Sequence, residues 1–258
     1  MTVTLDLTGH RALVTGAGDG VGRVVAQRFA AAGARVVVND IDGDRASRVA
    51  QEIRDSGGDA LTAVFDVTDY DAVLAACAGF EDIDILVNNA GNAGTDGFGV
   101  RSPFAQSDPA DWEPFLRVNL YGVLHCCRVV LPRMVERGWG RIVTIVSDAG
   151  RSGDPGGAVY GASKAAAAGL TRSLALENGR HGITANNISL GTMRTPATEP
   201  MWADAESEVA AGILRKYVVR RPGEPDDVAH LALYLASGHA EWITGQTYAL
   251  NGGYSFTL

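Results

Sequence analysis

Cysteine is scarce in this chain: there are three, Cys77, Cys126 and Cys127, two of them adjacent. An odd number with a neighbouring pair makes a poor disulfide framework and suits a reducing compartment. No CxxC pair is present, so buried packing is the expected role of all three. Long hydrophobic runs are missing too. No uncharged apolar stretch reaches the ~18 residues of a membrane span, and the Ala-rich run after Lys164 is broken by Arg172 and Glu177. Met1 to Leu7 has neither the basic stretch nor the apolar core of a signal peptide. A cytoplasmic protein with no membrane partner is expected. Positive charge is in deficit, with 22 Lys and Arg against 30 Asp and Glu and a net charge of −8. That balance argues against nucleic acid as a partner, since phosphate backbones demand a surplus of cations. The one basic run, Arg215, Lys216, Arg220 and Arg221, reads as a solvated face or a subunit contact. Five histidines are scattered without HExxH or other ligand spacing, so no metal site is expected. Finally, no Pro/Gly/Ser-rich linker divides the chain, and residues 1–258 are read as one domain.

What is present is glycine, 32 residues of it, and a regular alternation of short apolar runs with longer helical patterns. Arg11–Thr15 and Arg35–Asn39 read as strands, with a helix over Val21–Ala32 between them. Asp42–Ser56 is helical, Ala60–Phe65 extended, Asp69–Ala78 helical and Asp84–Val87 extended. A long helix over Ala110–Arg137 follows, then a strand at Arg141–Val146, a helix at Ala158–Asn178 and a strand at Ile183–Ile188. The strands are almost wholly apolar, as expected when helices cover both faces of a sheet. Strict β-α alternation with right-handed crossovers implies an α/β fold, a doubly wound parallel sheet. Two irregular regions, residues 92–109 and 192–205, follow strand ends, where such sheets bind ligands. They are the expected walls of a substrate pocket, and Phe104, Trp112, Met201 and Trp202 in or beside them are candidates for its lining.

The segment Thr15-Gly16-Ala17-Gly18-Asp19-Gly20-Val21-Gly22 joins the first strand to the first helix. Glycines there permit a tight turn and let N–H groups approach a pyrophosphate at the positive helix end. The context of strand before and helix after is what such a motif requires. The second strand closes on Asp40, eighteen positions after Gly22. Its carboxylate can accept hydrogen bonds from the ribose hydroxyls of adenosine and repels a 2′-phosphate; the plainer reading is a cap for the next helix. With Asp19 in the turn and Ile41 after Asp40, this corner has two acids and no base, which favours NAD over NADP. Asp66, ending the third strand, is either a turn residue or a contact for the adenine amino group. Tyr160 and Lys164 lie four apart in a helical stretch, so they share a face. A phenol has an unperturbed pKa near ~10, and a neighbouring ammonium favours its ionised form.

The ordered landmarks Thr15–Gly22 (TGxxxGxG), Asp66-Val67, Asn88-Asn89-Ala90-Gly91, Asn119, Ser147 and Tyr160 with Lys164 resemble those of the short-chain dehydrogenase/reductase family. The segments Gly191–Thr195, Arg221-Pro222-Gly223-Glu224-Pro225 and Ile243-Thr244-Gly245-Gln246 extend the resemblance over nearly the whole chain. It implies a Rossmann-type sheet of seven strands and a homotetramer. It also implies roles. Tyr160 is the general acid/base, Lys164 lowers its pKa and binds the nicotinamide ribose, and Ser147 holds the substrate oxygen. Asn119 bends its helix and anchors a water leading from Lys164. The cofactor residues are Gly16, Gly18, Asp19, Gly20, Val21, Gly22, Asp40, Ile41, Asp66, Val67, Asn89, Tyr160, Lys164, Met193 through its backbone, and Thr195.

Four features depart from the family pattern. Leu190 stands where a proline precedes Gly191, which loosens the backbone there. Val146 replaces a serine before Ser147, the helix after Asp69 is about one turn short at ~3.6 residues per turn, and the 92–109 loop is long and Gly-rich. The stretch Val123–Arg141 with Ser147-Asp148-Ala149 is most similar to 3-oxoacyl reductases and hydroxyacyl-CoA dehydrogenases, so the substrate is expected to be a secondary alcohol, a hydroxyacyl-CoA or 3-oxoacyl thioester. Arg101, Arg151 and Arg194 are then candidates for CoA phosphates, with a solvated arginine the plainer reading of each. A steroid, sugar or polyol dehydrogenase is the alternative within the family, and a catalytically silent NAD-binding sensor or scaffold the alternative outside it. An enoyl reductase is disfavoured, because that branch spaces its Tyr and Lys further apart.

Overall fold

The computed structural model describes residues 4–80, 82–93, 102–203 and 208–256. Seven strands form one sheet: β1 (Arg11–Val14), β2 (Arg35–Asp40), β3 (Asp59–Val64), β4 (Ile85–Asn88), β5 (Gly140–Ser147), β6 (Ile183–Leu190) and β7 (Thr247–Leu250). They run in the order β3-β2-β1-β4-β5-β6-β7, and every pairing is parallel. Parallel neighbours need crossovers, and helices supply them. In chain order these are α1 (Gly20–Ala31), α2 (Gly43–Asp55), α3 (Tyr70–Ala78), α4 (Glu113–Leu116), α5 (Gly122–Arg137), α6 (Ala149–Ser152), α7 (Ala158–Asn178), α8 (Glu199–Trp202), α9 (Glu208–Leu214) and α10 (Pro225–Ala236).

The period-two alternation of each strand sorts its residues to opposite faces. Ala12, Val14, Val36, Val38, Ile85 and Val87 pack with α1, α2 and α10 through Phe29, Val49, Ile53, Val228 and Leu235. Leu13, Val37, Leu86 and Ile142 pack on the other face with α3, α5 and α7, through Val73, Val130, Met134 and Ala167. Thus the seven-stranded doubly wound sheet expected from the sequence is the fold observed. All three cysteines are buried in the second layer, and burial pushes the Cys77 thiol up to about 11 and the Cys127 thiol up to about 12.

Helix starts follow local chemistry. Asp19, Asp42 and Asp69 cap α1, α2 and α3 by accepting first-turn N–H groups, and Glu224 with Asp227 forms a capping box on α10. Two expectations need correction. The helix read over residues 110–137 is interrupted: α4 is four residues long, and a π-turn over Arg117–Tyr121 separates it from α5. Pro114 suits the first turn of α4 and fixes its start, and the buried Asn119, whose side chain bonds other segments, lies at the π-turn. Nor is the backbone at Leu190 loosened. Leu190 pairs with Ser147 and Leu250, and its carbonyl accepts the Asp148 N–H at 3.0 Å, so it is held from both neighbouring strands.

Candidate active site

The carboxyl ends of β1, β4, β5 and β6 open onto one cavity of about 480 Å³. Val21, Asn89, Gly91, Ser147, Tyr160, Lys164, Met193 and Thr195 all line it. This is the crevice beside the reversal of strand order, where β1 is flanked by β2 and β4.

On the phosphate-loop side, Gly16 has φ of +61°, and a Cβ there would lie 2.9 Å from the Ala90 Cα. Only glycine satisfies both conditions. The loop is stitched to the end of β4. Thr15 Oγ1 accepts the N–H groups of Asn89 and Ala90 at 3.0 and 3.1 Å, and Asn89 Nδ2 donates to the carbonyls of Thr15 and Gly16 at 2.9 and 3.0 Å. The Asp19 carboxylate accepts the Gly20 N–H at 2.7 Å, capping α1. The remaining first-turn N–H groups of Val21 and Gly22 have no intrahelical partner, which is how a helix end receives an anion.

Asp40 does not cap α2; Asp42 does. Instead Asp40 Oδ2 accepts the Gly18 N–H at 3.0 Å and Oδ1 accepts the Asp42 N–H at 3.0 Å. Ile41 beside it is 69% exposed. The reading of this corner as free of bases is overturned. Arg48 of α2 donates to the Gly18 carbonyl at 3.2 Å, and a Cβ on Gly18 would lie 2.6 Å from the Arg45 Cβ. Helix α2 folds both arginines back onto the loop, which their distance along the chain concealed. Asp66 makes the turn after β3, with Oδ1 accepting the Thr68 N–H at 2.8 Å. Val67 is buried in the core layer of α5, and its carbonyl meets His125 Nδ1 at 3.0 Å, so a ligand there meets backbone rather than this side chain.

On the catalytic side, Ser147 ends β5, and its Oγ accepts the Ala149 N–H at 3.2 Å. Lys164 is buried and donates from Nζ to the Ile145 carbonyl at 3.1 Å. Burial brings its pKa down from 10.5 to about 8. Gly91, read from the sequence only as the end of the Asn88–Gly91 landmark, has a role of its own: a Cβ on it would lie 3.1 Å from Lys164 Nζ and 3.3 Å from Asn119 Oδ1. Its lack of a side chain keeps the space between those two groups open. Asn119 is fully buried. Its Oδ1 accepts the Asn92 N–H at 2.8 Å, while Nδ2 donates to the Asn92 carbonyl at 2.8 Å and to Ser163 Oγ at 3.1 Å. Ser163 in turn donates to the Tyr160 carbonyl at 2.7 Å. A chain of contacts therefore runs from the pocket wall at Asn92 to the helix turn that carries Tyr160.

Beneath Ser147, the buried Asp148 was likewise missed as an organising group. Its carboxylate accepts from Ser189 Oγ at 2.8 Å, Arg151 at 3.1 Å, Ser255 Oγ at 3.0 Å and the Asn251 side-chain amide. Two of these partners, Ser189 and Asn251, are 41 and 103 positions away, which no local pattern reveals.

The expected walls are partly realised. Thr192, Met193, Thr195, Thr198 and Met201 line the cavity, and the Met193 carbonyl accepts the Thr198 hydroxyl at 2.6 Å. Trp202 is buried and donates to Thr198 Oγ1 instead of facing the cavity. Asn92 and Ala93 line it as well, whereas residues 94–101, with Arg101, lie outside the described residues. Phe104 and Trp112, stacked at 5.2 Å between centroids, border a second cavity of about 110 Å³ that shares Ala93, Asp154 and Tyr160 with the first. Arg151 is committed to Asp148, and Arg194 lies 3.7 Å from Glu224, so neither is a bare cation for a phosphate. In contrast, Lys216, read as part of a solvated or subunit face, lines the main cavity. Among the described residues no group of acids and histidines could hold a metal ion.

A glycine loop at a helix N-terminus, an acid at the end of β2 and a Tyr–Lys pair lining the same cavity as a strand-end serine define a dinucleotide-dependent oxidoreductase. Comparison with known proteins specifies which. Residues 16–255 match the family model described as enoyl-(acyl carrier protein) reductase. Over 254 residues the chain is 37% identical to the 7alpha-hydroxysteroid dehydrogenase of Escherichia coli strain K12, covering 96% of this chain and 95% of the relative. It is 38% identical over 250 residues to a hydroxy(phenyl)methylsuccinyl-CoA dehydrogenase subunit of Thauera aromatica, covering 95% and 96%. The crystal structure of a gluconate 5-dehydrogenase from Burkholderia cenocepacia J2315, in complex with NADP and tartrate, superimposes with a TM-score of 0.89 at 35% identity and 97% coverage of both chains. The chain belongs to the short-chain dehydrogenase/reductase family, whose members here are alcohol and ketone dehydrogenases using a nicotinamide cofactor. No helix among the described residues is long and apolar enough to cross a membrane.

Proposed function

We propose that the protein is an NAD-dependent dehydrogenase, a single domain that interconverts a secondary alcohol and its ketone, with a hydroxyacyl-CoA or a related 3-oxoacyl thioester as substrate. The observation that carries this reading is the presence of Ser147, Tyr160 and Lys164 on the wall of the same cavity as Asn89, Met193 and Thr195. The residues fit the cofactor: the cradle at Gly16 and Gly22 would be filled by any Cβ, and the Asp40 carboxylate lies at the loop with the exposed Ile41 beside it. Gly16, Gly18, Gly20, Val21 and Gly22 would hold the pyrophosphate, Asp19 and Asp40 the adenosine side, and Asp66 with the Val67 backbone the adenine. Asn89, Lys164, Met193 and Thr195 would hold the nicotinamide half. NAD bound there would supply the hydride acceptor.

The rest is done by the chain. Ser147 Oγ, held at the strand end, accepts or donates a hydrogen bond to the substrate oxygen and fixes it beside Tyr160. The Tyr160 hydroxyl exchanges the proton with that oxygen. Lys164 favours the ionised phenol while protonated, and its lowered pKa allows it to pass a proton onward near neutral pH. Asn119, through Ser163 and Asn92, fixes the turn bearing Tyr160. The Thauera aromatica relative, named for an acyl-CoA substrate, supports the thioester reading. The four-residue Tyr160–Lys164 spacing supports alcohol oxidation over enoyl reduction, whatever the family model's description. A screen of acyl-CoA, steroid and polyol alcohols with NAD and NADP tests it. Turnover of hydroxyacyl thioesters with NAD is expected; turnover confined to steroids or polyols would overturn the substrate, and no turnover with either cofactor would overturn the whole reading.

A further inference from the structure

The chain has 20 arginines but only two lysines, Lys164 and Lys216. Both line the 480 Å³ cavity. Lys164 is buried and donates to the Ile145 carbonyl. Lys216 is exposed, in the turn that follows α9, and its N–H donates to the Ile213 carbonyl at 3.0 Å.

That position is fixed rather than loose. The adjacent Tyr217 is buried, and its hydroxyl accepts the Thr192 N–H at 2.7 Å and donates to Thr192 Oγ1 at 3.0 Å. Thr192 follows β6 and lines the same cavity, so Lys216 is carried on an anchored part of the wall. Several arginines are held by carboxylates. Arg23 pairs with Glu52, Arg28 with Asp226, Arg137 with Asp82 and Arg221 with Asp227. Among the described residues no carboxylate pairs with Lys216. Of the acids on the cavity wall, Asp148 is saturated by Ser189, Arg151, Asn251 and Ser255. Asp154 sits on the loop between α6 and α7.

We propose that Lys216 is a specificity determinant that binds an anionic group of the substrate, a carboxylate or a phosphate, carried at a distance from the carbon that is oxidised. The inference rests on the reading of this cavity as the alcohol-binding site. A volume of about 480 Å³ lies within the ~300–1,000 Å³ typical of small-molecule sites, and Tyr160 and Lys216 both line it. In a cleft with low-dielectric walls the field of a single cation is focused on the bound molecule. An ammonium on a flexible stem is a point charge with three rotatable donors, so it reads charge without demanding the planar geometry that a guanidinium imposes.

The test compares 3-hydroxybutyrate, its methyl ester and 3-hydroxybutyryl-CoA in the wild-type protein, Lys216→Gln and Lys216→Arg. Loss of a charge-assisted hydrogen bond is expected to raise KM for the anionic substrate about 10- to 100-fold, with most of the effect in KM rather than kcat. Lys216→Arg should restore most of it, and the ester should respond far less than the anion. Selective loss with the free acid identifies a carboxylate, and selective loss with the thioester identifies the CoA phosphates. Equal effects on acid, ester and thioester, or no effect, would overturn the inference. Reductive methylation read by mass spectrometry gives an answer that needs no turnover, because Lys216 is the exposed one of the two lysines. The acid or CoA should protect it and the ester should not. Protection without turnover by any substrate would keep the anion site and sink the dehydrogenase reading. Turnover with neither protection nor a selective KM change would do the reverse.

Discussion

Asn119 and Asn92 hold each other through two hydrogen bonds, from the Asn92 N–H to Asn119 Oδ1 and from Asn119 Nδ2 to the Asn92 carbonyl, both 2.8 Å long. One side chain in a π-turn thereby replaces a strand partner for a segment that lines the pocket. Asn119→Ala removes both bonds and the contact with Ser163. The expected loss is about 1–3 kcal/mol of stability, the cost of leaving part-buried polar groups unpaired. Substrate KM should rise as well, because Asn92 forms the cavity wall. Urea denaturation and steady-state kinetics check this; unchanged stability together with unchanged KM would contradict it.

Tyr160→Phe keeps the ring, including its edge contact with Phe115 at 6.4 Å, and deletes only the hydroxyl. Cofactor affinity should stay near normal while kcat falls about 10²- to 10⁴-fold, the range of general acid/base catalysis. Titration of NAD binding beside turnover separates the two effects. Full retained activity would assign proton exchange to another group.

Asp40→Ala removes the carboxylate from a corner that Arg45 and Arg48 already reach. With the repelling acid gone and the Arg48 guanidinium at the Gly18 carbonyl, the ratio of kcat/KM for NADP over NAD should rise about 10- to 100-fold. An unchanged ratio would mean that some other group reads the ribose.

Lys164 carries a stability cost with a definite pH signature. Its folded pKa of about 8 lies below the ordinary 10.5, so the folded state binds this proton less tightly than the unfolded chain. The penalty is complete below about pH 8, and stability rises with pH between the folded and unfolded values. Lys164→Met, lacking the penalty, should be the more stable protein at pH 7, by on the order of 2 kcal/mol after loss of the bond to the Ile145 carbonyl. That advantage should shrink towards pH 10. A constant difference across the range would show that the buried ammonium is not its source.

Strands β1 to β6 were legible because apolar runs covered on both faces leave a continuous pattern, as in Val36-Val37-Val38. Strand β7 was not, since its four residues are mostly half-buried and carry no such run. Helix α10 was seen only as the family segment before it, its capping box of Glu224 and Asp227 hidden among consecutive acids and Pro225. The Tyr160–Lys164 pair and the glycine loop were readable because their chemistry lies within a few residues. Arg48 at Gly18, Lys216 at the cavity and Asp148 under Ser147 were not. Arg48 and Lys216 reach their places, and Asp148 its partners, through crossovers that bring distant segments together, which a linear pattern cannot encode.

The Asp148 hub also has a consequence for biosynthesis. The strand carrying Ser147 leaves the ribosome long before Asn251 and Ser255, the groups that complete the coordination of the carboxylate beside it. Until they emerge, Asp148 lacks two of the four side chains that meet its carboxylate in the folded protein. A chain clipped before residue 251 would keep the residues of all seven strands and lose two of the groups that hold Asp148 beside Ser147.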